Sequence, residues 1–583
     1  MQSPSTSVDP ALAELPLEIP ARRLAFRAHF AKLPQLKNLL DRLLRCRRYF
    51  FAAASGLVLS AAFPMFNLAG AAWIAPGLIL ACAFGRTGGE AWRIGYVAGL
   101  AHWLGLLAWL LEIPATGYPI LGWLALAAFM AIYPAFWVWL LAGKIGKGSW
   151  MRRCFWSLGG AAVWVALEMI RARLFSGFPW NDLGVSQWRL TPLIQIASVT
   201  GVYGISFLVA WFSLACYSSV QAMFRHPTTR YIWMSEMLLP VVVVMLVFNV
   251  GMFRIRHAPP TDGTLRVTCV QPAVPQTMIW DAAENTNRFK QLLTLTTKAL
   301  TNQTELLLWP EAALPELTEA SLMAITNLIQ KHHVWMMFNA DDVAEKPNAP
   351  TDAALDVFNA ALFFNPEGRW AGSYHKRQLV IFGEYIPLVR LLPFIKWFTP
   401  ITGGYTSGER ITRFALERPT PLRLAATNAT FRPEAAAGAP RRVCVAPLIC
   451  FEDTFAHQVR EHVDTETDLL VNLTNDGWFG RGAAQWQHLA SAAFRAVENG
   501  VPLLRCCNNG ISCWFDANGR MQEIFRDASG SEYGAGFACW EIPFASGRMR
   551  GSATWYNRHG DWFGWTCLGV TAVLLLWRFK AKP

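Results

Sequence analysis

The apolar residues of this chain are distributed unevenly, and that distribution constrains the fold more than any single motif. Long apolar runs recur through roughly the first 255 residues, residues 256–560 have the mixed composition of an α/β domain, and one more apolar run follows. Only 16% of all residues are charged, well below the roughly 25% of soluble domains. The pattern therefore predicts a membrane protein that carries one large water-exposed domain.

The number of membrane spans can be predicted from the length of each apolar run, since a helix needs about 20 apolar residues to cross a bilayer. The runs predict about eight spans in a polytopic α-helical bundle, near 49–65, 69–85, 94–112, 119–142, 154–172, 192–222, 232–254 and 562–579. The predicted organisation has four parts. These are a basic cytoplasmic extension (1–48), transmembrane helices 1–7 (49–255), a large water-exposed domain (256–560), and helix 8 with a basic cytoplasmic tail (561–583).

The positive charges of the chain indicate its orientation in the membrane. A net charge of +12 could indicate nucleic-acid binding, but the Lys and Arg residues cluster at the ends of the apolar runs. Because cytoplasmic loops are enriched in these residues, both termini are predicted to be cytoplasmic. Residues 256–560 then lie on the outer side, which is the periplasm of a bacterium with two membranes. The loop 171–190, with three Arg residues, departs from the trend.

Residues 256–560 alternate short β-rich runs with helical segments, as in an α/β domain. Strands are predicted at 265–271, 305–309, 334–339, 357–364, 443–449, 468–473 and 501–506. A helix is predicted over 484–498 because Asn499-Gly500 is a typical C-terminal signal. Hairpin turns are predicted at 365–368 and 516–519.

Three strand ends in this region carry ionisable residues, and strand ends are where α/β scaffolds usually place their chemistry. They are Glu311, Lys376 and Cys450. Each has a purely structural alternative: Glu311 as a carboxylate at a helix N-terminus, Lys376 as a solvated surface cation, and Cys450 as a small buried apolar side chain. The twelve cysteines lack the spacing of a zinc site, so no metal is predicted.

The order of these motifs resembles a known family. Trp309-Pro310-Glu311, then His375-Lys376 with Phe382-Gly383-Glu384, then Cys450-Phe451-Glu452 resemble the Glu-Lys-Cys triad segments of the nitrilase superfamily, the carbon-nitrogen hydrolases. With seven apolar runs before the domain and one after it, residues 49–580 resemble the bacterial apolipoprotein N-acyltransferase family. The resemblance implies an αββα sandwich for the domain and no cofactor.

The same resemblance implies roles for individual residues. Cys450 would be the nucleophile and Glu311 the general base, and Lys376 would stabilise the oxyanion with a backbone N–H near Phe451. Glu384 and Glu452 would orient Lys376 and Glu311 by hydrogen bonding, or would be purely structural. Phe451 stands where the family commonly has Tyr, and Ile381 where it has Pro, so the aromatic wall is kept without its hydroxyl.

The implied reaction moves an acyl chain in two steps. A phospholipid, with phosphatidylethanolamine as the expected donor, acylates Cys450, and the α-amine of a diacylglyceryl-cysteine at the N-terminus of an apolipoprotein then takes the acyl group. This would be the last step of lipoprotein maturation at the bacterial inner membrane, with no nucleic-acid partner. Two alternatives stay open: a membrane-tethered nitrilase-like amidase acting on a small amide, and a transporter or receptor with a degenerate external domain.

Several aromatic residues are candidates for the lipid entrance. The run 385–398 is too apolar for an ordinary exposed loop, and it is interpreted as a lid or arm dipping into the membrane interface, with a buried core helix as the alternative. Its Trp397 would then lie at headgroup level. Trp280, Trp478 and Phe479 are predicted to line the entrance for the acyl chain.

Overall fold

The computed structural model describes residues 34–114, 118–225, 234–345, 355–387, 404–418, 442–546, 550 and 553–580. The chain divides between Phe51 and Ala52 into two compact units. The second unit contains both the remaining apolar helices and all the strands described below. The four-part division at residues 48, 255 and 560 therefore stays a prediction.

Helices dominate the described residues before 257. They are α1 Pro34–Ser60, α2 Ala69–Ala72, α3 Ala75–Cys82, α4 Gly88–Leu106, α5 Tyr118–Met130, α6 Ile132–Leu141, α7 Trp150–Arg171, α8 Thr191–Ile194, α9 Ala197–Thr200, α10 Val202–Arg225 and α11 Met234–Arg256. Four helical segments among the described residues are long and apolar enough to cross a membrane: Pro119–Leu141, Trp150–Arg171, Val202–Arg225 and Glu236–Arg256. Trp562–Arg578 is a shorter apolar helix, so the number of eight spans stays a prediction.

The predicted single span over 192–222 is wrong in its first third. The chain forms the short helices α8 and α9 there, and the long helix α10 begins only at Val202. Gly201 separates them with a φ of +66°, and a Cβ at this position would lie 2.6 Å from the Tyr556 ring. Position 201 therefore has no room for a side chain, and its positive φ is incompatible with an α-helix. For this reason the helical segment is interrupted at Gly201. The predicted span over 69–85 is likewise divided, into α2 and α3.

The described residues after 257 form two six-stranded sheets, with helices between some of the strands. The strands are β1 Gly263–Gln271, β2 Leu306–Trp309, β3 Trp335–Ala344, β4 Asp356–Phe364, β5 Trp370–His375, β6 Phe414–Glu417, β7 Arg442–Ile449, β8 Thr467–Thr474, β9 Leu503–Cys507, β10 Cys513–Phe515, β11 Met521–Ile524 and β12 Gly536–Phe544. The helices are α12 Gln276–Ile279, α13 Asn285–Ala299, α14 Glu319–His332, α15 Ala456–Val459, α16 Ala483–Asn499, α17 Trp555–His559 and α18 Trp562–Lys580. All seven predicted strands, both hairpins and the helix over 484–498 are confirmed.

The two sheets stack face to face. Their strand orders are β12-β1-β2-β3-β4-β5 and β11-β10-β9-β8-β7-β6. One apolar core joins the inner faces, with Val267 and Leu308 from the first sheet and Val445 and Leu473 from the second. A second core packs the outer face of the first sheet against α13 and α14. The predicted sandwich is thus confirmed in its two-sheet core.

Helix α16 connects the second sheet to the apolar helices. Every residue from Ala484 to Asn499 is buried except Trp486, which is half-buried. Such complete burial is unusual for a helix with this many polar residues. The Gln487 side chain donates to the carbonyl oxygen of Pro64 at 2.7 Å and accepts from Trp180 Nε1 at 2.8 Å. These bonds fix the helical part of the chain against the sandwich on the side where β7 ends.

Candidate active site

Cys450 lies at a sharp turn directly after β7. Its φ is +54°, a left-handed value that costs a non-glycine residue about 1–2 kcal/mol. The residue begins a short 3₁₀-helix, Cys450–Thr454, and its carbonyl oxygen accepts from Asn472 Nδ2 at 3.0 Å. The chain therefore maintains a strained backbone at this thiol, whose side chain sits among ionisable groups rather than in a purely apolar core.

Lys376 follows β5 and is one of the most deeply buried side chains of the protein, at 1% exposure. Its Nζ lies 2.7 Å from Glu384 Oε1 and 3.3 Å from Glu311 Oε1. Burial alone would lower the pKa of Lys376, but the two carboxylates outweigh burial and raise the pKa well above its ordinary value. Because Lys376 is buried, the alternative of a solvated surface cation is wrong, and the ammonium group is paired with two carboxylates inside the protein.

Glu311 comes two residues after β2 and faces the same ammonium group. Its Oε1 accepts from Asn359 Nδ2 at 3.0 Å, and its Oε2 accepts from the backbone N–H of Asn475 at 3.0 Å. The nearest helix, α14, begins only at Glu319, so the alternative of a carboxylate at a helix N-terminus is wrong. The next residue, Ala312, has a φ of +61°, which places a second strained backbone position in this site.

Sequence reasoning missed two asparagines that hold the carboxylates in place. Asn359 Nδ2 donates to Glu311 Oε1 at 3.0 Å and to Glu384 Oε1 at 2.9 Å. Asn359 Oδ1 in turn accepts from Asn339 Nδ2 at 2.6 Å. Both lie on neighbouring strands, β3 and β4, and are more than 90% buried. A buried polar residue within an otherwise apolar strand was the signal that could have revealed them.

Glu384 and Glu452 occupy different places in the site. Glu384 contacts Lys376 directly, and its Oε2 accepts from the backbone N–H of Val380 at 2.8 Å. Glu452 accepts from Tyr374 Oη and from the backbone N–H of Arg377, both at 2.7 Å. Among the described residues, Glu452 makes no hydrogen bond to Lys376 or Glu311. Of the two carboxylates that were predicted to orient these groups, only Glu384 contacts Lys376 directly.

The role left to Glu452 is to join two strand ends. Its Oε2 accepts from the backbone N–H of Ile449 at 2.8 Å, while its Oε1 holds the backbone just after Lys376. The Glu452 carboxylate thereby fixes Ile449, which precedes Cys450, relative to Arg377, which follows Lys376. Such a link keeps reacting groups within the small tolerance that catalysis requires.

The electrostatics of the thiol indicate how it becomes reactive. Burial and the nearby Glu311 carboxylate raise the pKa of Cys450 well above its ordinary value, while the Lys376 ammonium group lowers it. The resting site therefore holds a neutral thiol beside a carboxylate and an ammonium group. A neutral thiol of this kind becomes a strong nucleophile only when a base removes its proton, and Glu311 is a carboxylate whose charge acts on this thiol.

An aromatic wall surrounds Phe451, the residue after Cys450, and part of it comes from a loop between the apolar helices. The Phe451 ring lies 6.2 Å from Phe178 and 6.1 Å from Trp180, between ring centroids. Trp109 lies 5.2 Å from Trp180 and 4.6 Å from Phe479. No pattern in the sequence indicated that the loop 171–190 packs against Phe451 through Phe178 and Trp180.

The remaining entrance candidates lie in different places. Trp280 and Trp478 form an edge-to-face pair with centroids 5.1 Å apart, and Trp280 is 56% exposed. Trp397 and most of the run 385–398 lie outside the described residues. The structure thus brings Phe479 to the wall beside Phe451 and pairs Trp280 with Trp478.

Comparison with known proteins identifies both parts of the chain. The family model of the apolipoprotein N-acyltransferase N-terminal domain matches residues 55–215, and that of the carbon-nitrogen hydrolases matches residues 266–530. Among solved structures, an amidase of the nitrilase superfamily from Nesterenkonia AN1 is 16% identical, with a TM-score of 0.31 over 49% of this chain and 93% of that chain.

Relatives cover the helical part and the sandwich together. An apolipoprotein N-acyltransferase of Geobacter metallireducens is 32% identical over 92% of this chain and 96% of its own length. One from Rickettsia prowazekii is 28% identical over 74% of this chain and 79% of its own length. The order of apolar helices followed by the two-sheet sandwich agrees with these matches, and the chain belongs to the apolipoprotein N-acyltransferase family.

Proposed function

We propose that this protein transfers a fatty acyl chain from a phospholipid, through a thioester on Cys450, to the N-terminal α-amine of a diacylglyceryl apolipoprotein. The observation that carries this proposal is the aromatic wall. Phe178 and Trp180, from a loop between apolar helices, lie against Phe451, the neighbour of the nucleophile. An acyl chain that leaves the membrane along these rings arrives at the thiol.

In the first step, Cys450 Sγ attacks the carbonyl carbon of a phospholipid ester while Glu311 takes the thiol proton. The carbonyl oxygen of the ester becomes an oxyanion, which Lys376 Nζ and a backbone N–H near Phe451 stabilise. The bond between the carbonyl carbon and the glycerol oxygen then breaks. Glu311 returns its proton to that oxygen, so a lysophospholipid leaves and the acyl chain stays on sulfur.

In the second step, the α-amine of the diacylglyceryl-cysteine attacks the thioester carbonyl and Glu311 takes the amine proton. The carbon–sulfur bond breaks, an amide is formed, and the proton on Glu311 returns to Cys450. A thioester suits this exchange because thiolate is a good leaving group toward an amine. Glu384 and Asn359, both hydrogen-bonded around Lys376 and Glu311, keep the two groups oriented through both steps.

The substrates of this reaction are membrane lipids, and the protein is a bacterial membrane protein. We propose phosphatidylethanolamine as the donor and the inner membrane as the site. The catalytic domain would be periplasmic and both termini cytoplasmic, because Lys and Arg residues cluster in the loops assigned to the inside. Trp280, Trp478 and Phe479 are proposed to line the acyl-chain entrance, with Phe479 already part of the aromatic wall.

Product analysis of the purified full-length protein tests this function. Given radiolabelled phosphatidylethanolamine and a diacylated lipopeptide, the protein should release lysophospholipid and form a triacylated peptide in equal amounts. Cys450→Ser should form neither. The amidase alternative predicts no acylated peptide with these substrates and hydrolysis of a small amide instead. Absence of both lysophospholipid and triacylated peptide would contradict the proposed function.

A further inference from the structure

Four fully buried charged side chains form a cluster on the side of Cys450 that faces α16. They are Asp453, Asp476, His488 and Arg505, and each is no more than 1% exposed. Arg505 pairs with Asp453 and lies 3.1 Å from Asp476 Oδ2. A buried cluster of this kind is costly unless its charges balance. With a charged His488, the two cations and two carboxylates sum to zero.

The histidine is placed between the two carboxylates. His488 Nδ1 lies 2.8 Å from Asp476 Oδ1, and Nε2 lies 2.8 Å from Asp453 Oδ1. Arg505 Nη2 lies farther from Nδ1, at 3.2 Å. The hydrogen-bond acceptors that the ring nitrogens face are Asp476 Oδ1 at Nδ1 and the carbonyl oxygen of Cys450 at Nε2. A neutral imidazole would direct a lone pair at one of these acceptors, whereas an imidazolium presents an N–H to both. The geometry thus fits a histidine that carries both protons.

His488 also contacts the nucleophile's own backbone. Its Nε2 lies 3.2 Å from the carbonyl oxygen of Cys450, which also accepts from Asn472 Nδ2. Asn472 Nδ2 is held in turn by Asp453 Oδ2 at 2.7 Å. His488 Nε2 and Asn472 Nδ2, which both contact the Asp453 carboxylate, therefore fix the carbonyl group of Cys450. The left-handed φ of Cys450, +54°, directs its thiol into the site.

The same cluster affects the charge around the thiol. Asp476 is among the groups that raise the pKa of Cys450, alongside burial and Glu311. His488 and Arg505 are the cations that contact Asp476. Removing one of them leaves a net negative charge beside a thiol that has to become a thiolate.

We propose that His488 is a positioning residue for Cys450. As an imidazolium between Asp453 and Asp476, it holds the nucleophile's carbonyl and offsets the negative charge beside the thiol. Burial alone would lower the pKa of His488, but the carboxylates outweigh burial and raise it to about 9. The group would then stay charged over the working pH range. The proposal deepens the proposed function, because it concerns the same thiol, but its test needs no lipid substrate.

The proposal also connects the apolar helices to the nucleophile. The Trp180 ring lies 5.9 Å from the His488 ring, a distance at which an imidazolium is attracted to an indole face. Trp180 belongs to the wall that contacts Phe451. The loop between the apolar helices therefore packs on both the side chain next to the nucleophile and the group that fixes its backbone.

The test measures the pH dependence of Cys450 alkylation by iodoacetamide in the full-length, detergent-solubilised protein, read by peptide mass spectrometry. His488→Gln should raise the apparent pKa of Cys450 by about one unit, which is a tenfold lower rate at a fixed pH below it. The matched control is His462→Gln, another histidine that is 2% exposed in the same domain. It should leave the profile unchanged even where it lowers the melting temperature.

A charge-balanced double variant separates electrostatics from general loss of structure. His488→Gln with Asp476→Asn removes one charge of each sign, so the Cys450 profile should return toward that of the wild type. An unchanged profile in His488→Gln, an equal shift in His462→Gln, or no recovery in the double variant would overturn the proposal. Because no lipid is used, none of these outcomes depends on the acyl-transfer reaction.

The wild-type protein supplies a measurement that needs no variant to fold. A histidine whose pKa rises from its unfolded value of 6.5 to about 9 stabilises the fold fully below pH 6.5. That contribution is lost as pH rises through 9. The melting temperature of the wild type should therefore fall between pH 7 and 10, and a flat profile there would contradict a charged His488.

Discussion

Glu311→Gln should lower the rate of acyl-enzyme formation by about 10²–10⁴-fold while the protein stays folded, the range that a general base contributes. Gln keeps the shape of the side chain, and its single amide oxygen can still accept from one of the two donors that hold Glu311 in place, Asn359 Nδ2 or the backbone N–H of Asn475. It cannot take a proton. Since the Cys450 thiol is neutral at rest, loss of the base should affect both half-reactions. Stopped reactions with labelled phospholipid measure the first and single-turnover transfer to a lipopeptide the second.

The matched control for this change is Glu316→Gln, five residues further along the same loop and exposed. It should keep wild-type rates, and Glu311→Ala should be as inactive as Glu311→Gln. A Glu311→Gln enzyme with more than about one tenth of wild-type activity would exclude Glu311 as the base, since general-base effects are at least about 10².

Lys376→Met should reduce acyl-enzyme formation by about 10³-fold or more, because one residue supplies both the oxyanion partner and the charge that favours the thiolate. The change should also destabilise the protein. It leaves Glu311 and Glu384, both about 90% buried, without their shared cation, and an uncompensated buried charge costs about 3–5 kcal/mol. Thermal unfolding of the purified variant measures this second effect.

The double variant Lys376→Met with Glu384→Gln distinguishes catalysis from stability. It removes one positive and one negative charge, so the remaining Glu311 carboxylate has no carboxylate neighbour, and stability should recover while activity stays lost. Lys331→Met, at an exposed position near the end of α14, controls for loss of a lysine. If activity returned together with stability, Lys376 would be a structural residue only.

The sequence predicted those parts of the site that follow from strand ends. Glu311 and Cys450 each come just after a strand of strong β pattern, and stacked strands with their ends on one side bring such residues together. Lys376 follows β5, whose own strand pattern is weak. The strands and the helix over 484–498 were predictable for the same reason, because their periodicity and their Gly signals are local.

The missing parts of the site depend on contacts between distant segments. Strand β6 has only four residues and β5 contains Gly372, so neither has a strong strand pattern of its own. Asn359 acquires its role only when β4 lies next but one to β2 in the sheet and Asn359 reaches Glu311 in the loop after β2. Trp180 acquires its role only when the loop between the apolar helices contacts Phe451, just after β7. A residue whose partner lies tens or hundreds of positions away leaves no periodic signal in sequence.

The most direct test of the account is the intact mass of the protein after incubation with phosphatidylethanolamine of one defined acyl chain and no acceptor. The expected result is a mass increase equal to one fatty acid less one water, located on the peptide of Cys450, sensitive to hydroxylamine and discharged by a diacylated lipopeptide. The Cys450→Ser variant, incubated in the same way, should carry no adduct that hydroxylamine removes. An active wild-type enzyme that forms no adduct on Cys450, or an adduct on another residue, would contradict it.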